Sequence, residues 1–341
     1  MKNLLLNLVL IVGITMTWSA CQPEGSTKKP TKQNQTSAPT SKPAKAKVNY
    51  PKFDETSAYN HIQKQVDFGP RVPGTPEHKM CADWLEEQMK MTADEVIVQE
   101  AKLTVYNGKQ VPMYNIISSY NPSSKNRVLL SAHWDTRPFA DQDDDKSREN
   151  EPIQGANDGA SGVGVLMAVG EALKANPLKN IGVDIIFWDV EDYGKGEAET
   201  YCLGSQYWSN NKHKPSYKAM YGILLDMVGA KNAVFNQEGY SLHYAPHVVK
   251  KVWEAAHKSG FSGFFPFVKV DPITDDHKFI NEMGRIPTID IIQYDRKSFP
   301  NSNGFFPHWH THEDNMSKID KRTLNAVGQT LLTVLYDEDA Q

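Results

Sequence analysis

Cysteine is scarce in this chain: three residues in 341, at positions 21, 81 and 202. None lies in a metal-like spacing, and so few make no disulfide framework. Cys81 and Cys202 stand open between one bridge and two buried thiols. An excess of positive charge is also missing. Lys and Arg total 37 against 41 Asp and Glu, a net charge of −4, which gives no case for a nucleic-acid partner. The apolar run Leu4–Ile14 is too short for a membrane span. There is no internal repeat and no second linker, so one domain is expected from residue 48 onward.

What is present begins with a leader. Met1-Lys2-Asn3 precedes that apolar run, and Thr17-Trp18-Ser19-Ala20-Cys21 follows it. Small residues before a cysteine resemble a bacterial lipoprotein cleavage site, with Trp18 where Leu is usual. The expectation is a signal peptide over 1–20, with Cys21 as lipid anchor and membrane attachment point; ordinary cleavage near Ala20 is the alternative. Residues 21–47, rich in Ser, Thr, Lys, Pro and Gln, read as a flexible tether. An exported protein held at the cell envelope follows, with its catalytic domain at 48–341.

Apolar periodicity then predicts helices at 55–68, 76–91, 163–175, 246–258 and 317–336. Strands are expected at 96–98, 103–106 and from Val111, with a hairpin turn at Asn107-Gly108, and again at 115–117, 128–130, 183–188, 220–225 and 286–292. Their alternation predicts an α/β fold in a single domain, with a mixed, largely parallel central sheet and helices on both faces.

Acids and histidines follow these apolar runs, at strand ends where α/β folds build sites. They stand in Ser131-Ala132-His133-Trp134-Asp135, Gly155–Gly162 around Asp158, Asp189-Val190-Glu191-Asp192, Leu225-Asp226 and Trp309-His310-Thr311. Imidazole mixed with carboxylate and little thiolate suits zinc. Asp158 is either a ligand or a helix N-cap. Glu191 and Asp192 leave one strand in different directions, so one can bind metal while the other faces substrate. His133 and Asp135, two apart, are expected as metal ligands or their partners, with a structural histidine as the alternative. Asp226 is costly to bury alone. Asp275 reads as a helix cap and Asp276 as nearer the site. His308, His310 and His312 offer one ligand, and spacing leaves open which. Asp141–Asp145 reads as a solvated acidic loop.

The ordered series SAHWD, GANDGASG, FWDVED, LLDMVGA, TDDH and WHT resembles the M28 metallopeptidases, and within them the zinc glutaminyl-peptide cyclotransferases, over residues 55–336. The resemblance implies an M28 zinc-exopeptidase-like fold and one zinc held by Asp158, Asp192 and His310. It also implies Glu191 as general acid/base, with Asp226 and Asp276 in a hydrogen-bond network at the substrate amine. Trp309 would wall the pocket, with Trp134 and Phe139 nearby. Two positions depart from the animal pattern: Asp192 replaces Glu, and Tyr193–Glu197 lacks a tryptophan. The implied reaction converts N-terminal Gln of peptides or proteins to pyroglutamate with loss of ammonia. A two-zinc aminopeptidase, with His133 and Asp226 on the second ion, uses the same side chains. A tethered binding protein without catalysis is the third alternative.

Overall fold

A computed structural model describes residues 48–341, together with Met16 and Trp18. The expected cleavage site, Cys21 and the tether lie outside the described residues. Among the described residues no helix is long and apolar enough to cross a membrane.

Helix α1 (Glu55–Asp67) starts where Asp54 accepts the backbone N–H groups of Thr56 and Ser57. Thr75 caps α2 (Pro76–Thr92) in the same way, with Pro76 in the first turn. Strands β1 (Glu95–Thr104) and β2 (Gln110–Tyr120) form the hairpin, and β3 (Arg127–His133) follows. Then come α3 (Ala160–Ala175), β4 (Gly182–Trp188), α4 (Leu203–Asn210) and β5 (Tyr221–Asp226). Helices α5 (Gly239–Tyr244), α6 (Pro246–Lys258) and α7 (Asp276–Glu282) precede β6 (Thr288–Ile292) and α8 (Lys321–Asp339).

The six strands lie in the order β1-β2-β4-β3-β5-β6. β1, β2 and β4 pair antiparallel, while β4, β3, β5 and β6 pair parallel. Alternate side chains leave opposite faces of the sheet. Val128, Leu130, Ile185, Phe187, Ile223 and Leu225 meet residues of α1, α3, α6 and α8 in the larger core. Leu129, Ile186, Trp188 and Leu224 meet Trp208 of α4 and Ile280 of α7 on the other face. A sheet buried on both faces explains why its strands read as unbroken apolar runs.

Several expectations change in detail. The two short runs 96–98 and 103–106 form one strand, because Gln99 to Lys102 stay in register with β2. The final helix begins at Lys321, where Asp320 caps it, after a separate tight turn at Met316–Lys318. Cys81 and Cys202 are free, buried thiols. Burial pushes the Cys81 thiol up to about 12.

Parallel register sets His133 level with Trp188, so β3 and β4 end together. Asp226 ends β5 beside Ile292 at the end of β6. The sheet thereby delivers four chain segments to one edge.

Candidate metal centre and active site

At that edge the backbone bends sharply. Val190, Cys202, Met227 and His310 all adopt positive φ, between 47° and 56°. This region disfavours non-glycine residues, most of all a β-branched one, and such outliers gather at functional sites. Each flanks or carries a polar side chain of the cluster. Gly159, at φ 97°, turns the chain from Asp158 into α3; a Cβ there would come within 2.5 Å of the Asp135 carbonyl oxygen. Asp158 itself is not a cap, since α3 has no side-chain N-cap bond.

Asp158, Asp192 and His310 place donor atoms within 4.8 Å of one another, and all three are buried. His310 Nε2 lies 3.2 Å from Asp192 Oδ1 and 3.7 Å from Asp158 Oδ2. Asp158 Oδ2 and Asp192 Oδ2 have no hydrogen-bond partner. A buried carboxylate oxygen without a partner is costly, and a cation is the group that would relieve it. Two carboxylates and one imidazole with a position left open fit a catalytic zinc.

The surrounding side chains orient these ligands. Arg137 donates to Asp192 Oδ1 at 3.0 Å and to Asp141 at 2.8 Å. Asp141 Oδ1 stands 3.2 Å from His310 Nδ1, leaving Nε2 for the metal. Burial raises the Asp141 carboxyl, but His310 and Arg137 outweigh it and hold it below its usual range. Asp135 accepts the backbone N–H of Glu191 at 3.0 Å and of Asp192 at 3.2 Å. Asp314 does the same for Asn157 and Asp158.

A second cluster shares Asp158. His133, Asp158 and Asp226 also offer donors within 4.8 Å. Here the oxygens are occupied: His133 Nε2 lies 3.1 Å from Asp158 Oδ1 and 3.2 Å from Asp226 Oδ1. Burial works against the imidazolium, but Asp135, Asp158, Asp226 and Glu191 together hold His133 well above its usual value. Asp226 is pushed up to about 7, chiefly by burial and also by Asp275, against the opposing bond from His133.

Glu191 lines the same cavity as Asp158, Asp192, Asp226 and His310, with its Oε2 3.9 Å from His133 Nδ1. Burial, followed by Asp192, Asp275 and Asp276, holds its carboxyl well above the usual range despite His133. The Cys202 thiol donates to Glu191 Oε1 at 3.1 Å. A carboxyl whose hold on a proton is strengthened in this way is suited to general acid/base work. That cavity, of about 210 Å³, is lined by Glu191, Asp226 and Asp275 and by the apolar Met227, Ile292, Phe305 and Trp309.

The sequence pattern of peptidase family M28 matches residues 115–335. The chain belongs to peptidase family M28. A solved structure of Bacteroides thetaiotaomicron glutaminyl cyclase bound to N-acetylhistamine is 51% identical, with a TM-score of 0.81, covering 85% of this chain and 99% of that one. A structure described as a leucine aminopeptidase precursor from Bacteroides thetaiotaomicron matches with the same identity, coverage and TM-score. The glutaminyl-peptide cyclotransferase of Gloydius blomhoffii is 25% identical over 76% of this chain and 75% of its own length.

Within this M28 site, the fold brings together Asp158, Glu191, Asp192, Asp226, Trp309 and His310, all of which line the cavity. Trp309 stacks on His310 with ring centroids 3.7 Å apart. Other expectations are corrected. Asp275 lines the cavity as well as capping α7, whereas Asp276, one residue into the helix, is fully buried and accepts from Ser205 at 2.5 Å. Trp134 points away from His133, stacks on His78 and donates to the Tyr114 carbonyl, so it is core. Phe139 lies under the Arg137 guanidinium at 4.3 Å and is not among the lining residues. The acidic loop is solvated only in part, because Asp141 faces His310 and Asp143 accepts from His312.

Asp314, Arg137, Tyr201 and Phe305 were missed by sequence reasoning. Asp314 carried a signal, an acid four residues beyond His310 in a histidine-rich segment. The segment turns, as the Thr311-to-His308 and Asp314-to-Thr311 backbone bonds show, and of its three histidines His310 lines the cavity.

Proposed function

We propose that this M28 enzyme is a glutaminyl-peptide cyclotransferase that holds one zinc on Asp158, Asp192 and His310. The carrying observation is the pair of buried oxygens, Asp158 Oδ2 and Asp192 Oδ2, left without partners beside His310 Nε2. Similarity to solved structures described as glutaminyl cyclases supports the reaction. When bound, the ion supplies Lewis-acid polarisation of the substrate's γ-amide carbonyl.

The chain's own residues do the rest. The cavity admits one side chain, with Trp309, Phe305 and Ile292 excluding water from it. Asp226 and Asp275 orient the substrate's free α-amine towards the γ-carbon. Glu191 takes a proton from that amine and delivers it to the departing ammonia. Because the nucleophile belongs to the substrate, positioning supplies much of the rate and no activated water is required.

A two-zinc aminopeptidase is the second reading, favoured by the convergence of His133, Asp158 and Asp226. It requires the second ion to enter between His133 and the two aspartates in place of their direct contacts. A zinc on the amine would also remove the lone pair that a cyclase uses. Incubation with Gln- and Leu-terminated peptides separates the two: the cyclase releases ammonia from the first and leaves the second intact.

Attachment to the cell envelope through Cys21 belongs to the same proposal, on the order of basic, apolar and small residues before it. Labelled palmitate should enter the wild-type protein and not Cys21→Ser. A wild-type protein that starts at Cys21 without lipid would point to ordinary signal cleavage.

A further inference from the structure

Behind the cavity wall, Asp275 is backed by ionisable groups that the reaction above does not use. Asp290 stands in the middle of β6, fully buried, and neither of its carboxyl oxygens has a hydrogen-bond partner. Asp275, His277 and Asp290 offer atoms within 4.8 Å of one another. His277 Nε2 lies 3.0 Å from Glu238 Oε1, while its Nδ1 is 3.9 Å from Asp290 Oδ2. Glu238 also accepts the backbone N–H groups of Tyr240 and Ser241, so its carboxylate is well supplied with donors. That contact fixes the His277 ring with Nδ1 turned towards Asp290, but too far away to hydrogen-bond it.

The groups facing Asp290 are Asp226 on β5, Asp275 and His277 at the start of α7, and Glu238 at the cap of α5. His277 is the one base among them. Two carboxylates sharing a buried site cannot both ionise at ordinary cost. One proton between them relieves Asp290 and also the unpartnered Oδ2 of Asp275. The proton belongs on Asp290, because Asp275 already accepts the Asp276 N–H and faces the open cavity. Burial, together with Asp275 and Asp226, pushes the Asp290 carboxyl well above its usual value.

We propose that Asp290 is a positioning residue that donates a shared proton to Asp275 and so fixes the carboxylate that meets the substrate amine; this rests on the cyclase function proposed above. Asparagine has the shape of a protonated aspartate and keeps an N–H donor, whereas leucine has none. Infrared difference spectra of zinc-loaded wild type and Asp290→Asn should therefore show loss of a carboxylic-acid band. Asp290→Asn should keep kcat within about threefold on Gln-terminated peptides, and Asp290→Leu should lose about tenfold or more with zinc content unchanged.

Loss of a carboxylate band in place of an acid band would overturn the proposal, as would an Asn variant as defective as Leu. The infrared result decides even if Asp290→Leu does not fold. Failure of wild-type protein to form pyroglutamyl product would instead remove the parent function, while the spectra still report the proton.

Discussion

The two clusters that share Asp158 have similar composition but differ in which carboxylate oxygens lack a partner. On the Asp192 side, two buried carboxylate oxygens lack partners, and His310 is held from behind by Asp141. On the Asp226 side, His133 Nε2 lies 3.1 Å from Asp158 Oδ1 and 3.2 Å from Asp226 Oδ1. On the one-zinc reading proposed above, ligand-type residues within reach of one another do not by themselves make a metal site. What distinguishes them is whether the protein already satisfies their lone pairs. On the proposed reading, the Asp192 cluster takes the ion and the Asp226 cluster holds the amine.

Removing ligands from each side should break the symmetry most visibly. Asp192→Asn and His310→Ala are expected to abolish zinc binding and with it turnover, measured by elemental analysis and ammonia release. Asp226→Asn should keep one zinc and lose activity. Zinc loss in Asp226→Asn equal to that in His310→Ala would erase the proposed distinction.

Glu191 lines the same cavity, and Glu191→Gln should keep zinc while lowering kcat at least about a hundredfold. Near-normal turnover in a zinc-loaded variant would remove it as proton carrier. A smaller effect is expected behind the ligands. Asp141→Asn should weaken zinc affinity about ten- to a hundredfold without changing the stoichiometry at saturation. Unchanged affinity, read in a chelator competition, would mean that the ring of His310 needs no such support.

The smallest expected effect is a pH response away from both clusters. His213 accepts from Trp208 Nε1 at 3.0 Å. Burial draws its value down from 6.5 to about 4. The unfolded chain thus binds a proton that the folded one refuses, and stability is lost as pH falls from about 6.5 to about 4. Denaturation midpoints across that window should fall less steeply in His213→Gln. If the slope is unchanged, acid sensitivity originates elsewhere, and the two clusters are the first place to look.

Much of this was legible in the sequence because buried strands and their polar ends are local signals. Val183–Trp188 and the acids that follow announced both a strand and a site. Asp158, Glu191, Asp192 and Asp226 each follow such a strand or a glycine turn. Residues whose role depends on the reach of another segment were not legible. Arg137 and Asp141 act on Asp192 and His310 only because the loop after β3 folds across both. The exchange of Asp275 for Asp276 turns on one residue of register at a helix start, where capping and facing the cavity coincide. Trp134 was misplaced for the related reason that neighbours at a strand end point to opposite sides.

The most direct measurement is the zinc content of the purified protein by elemental analysis, taken alongside product formation from Gln- and Leu-terminated peptides. One zinc per chain, with pyroglutamyl product and ammonia from the first peptide and no cleavage of the second, is predicted. Two zincs per chain, the second lost in Asp226→Asn, with release of N-terminal Leu, would contradict it.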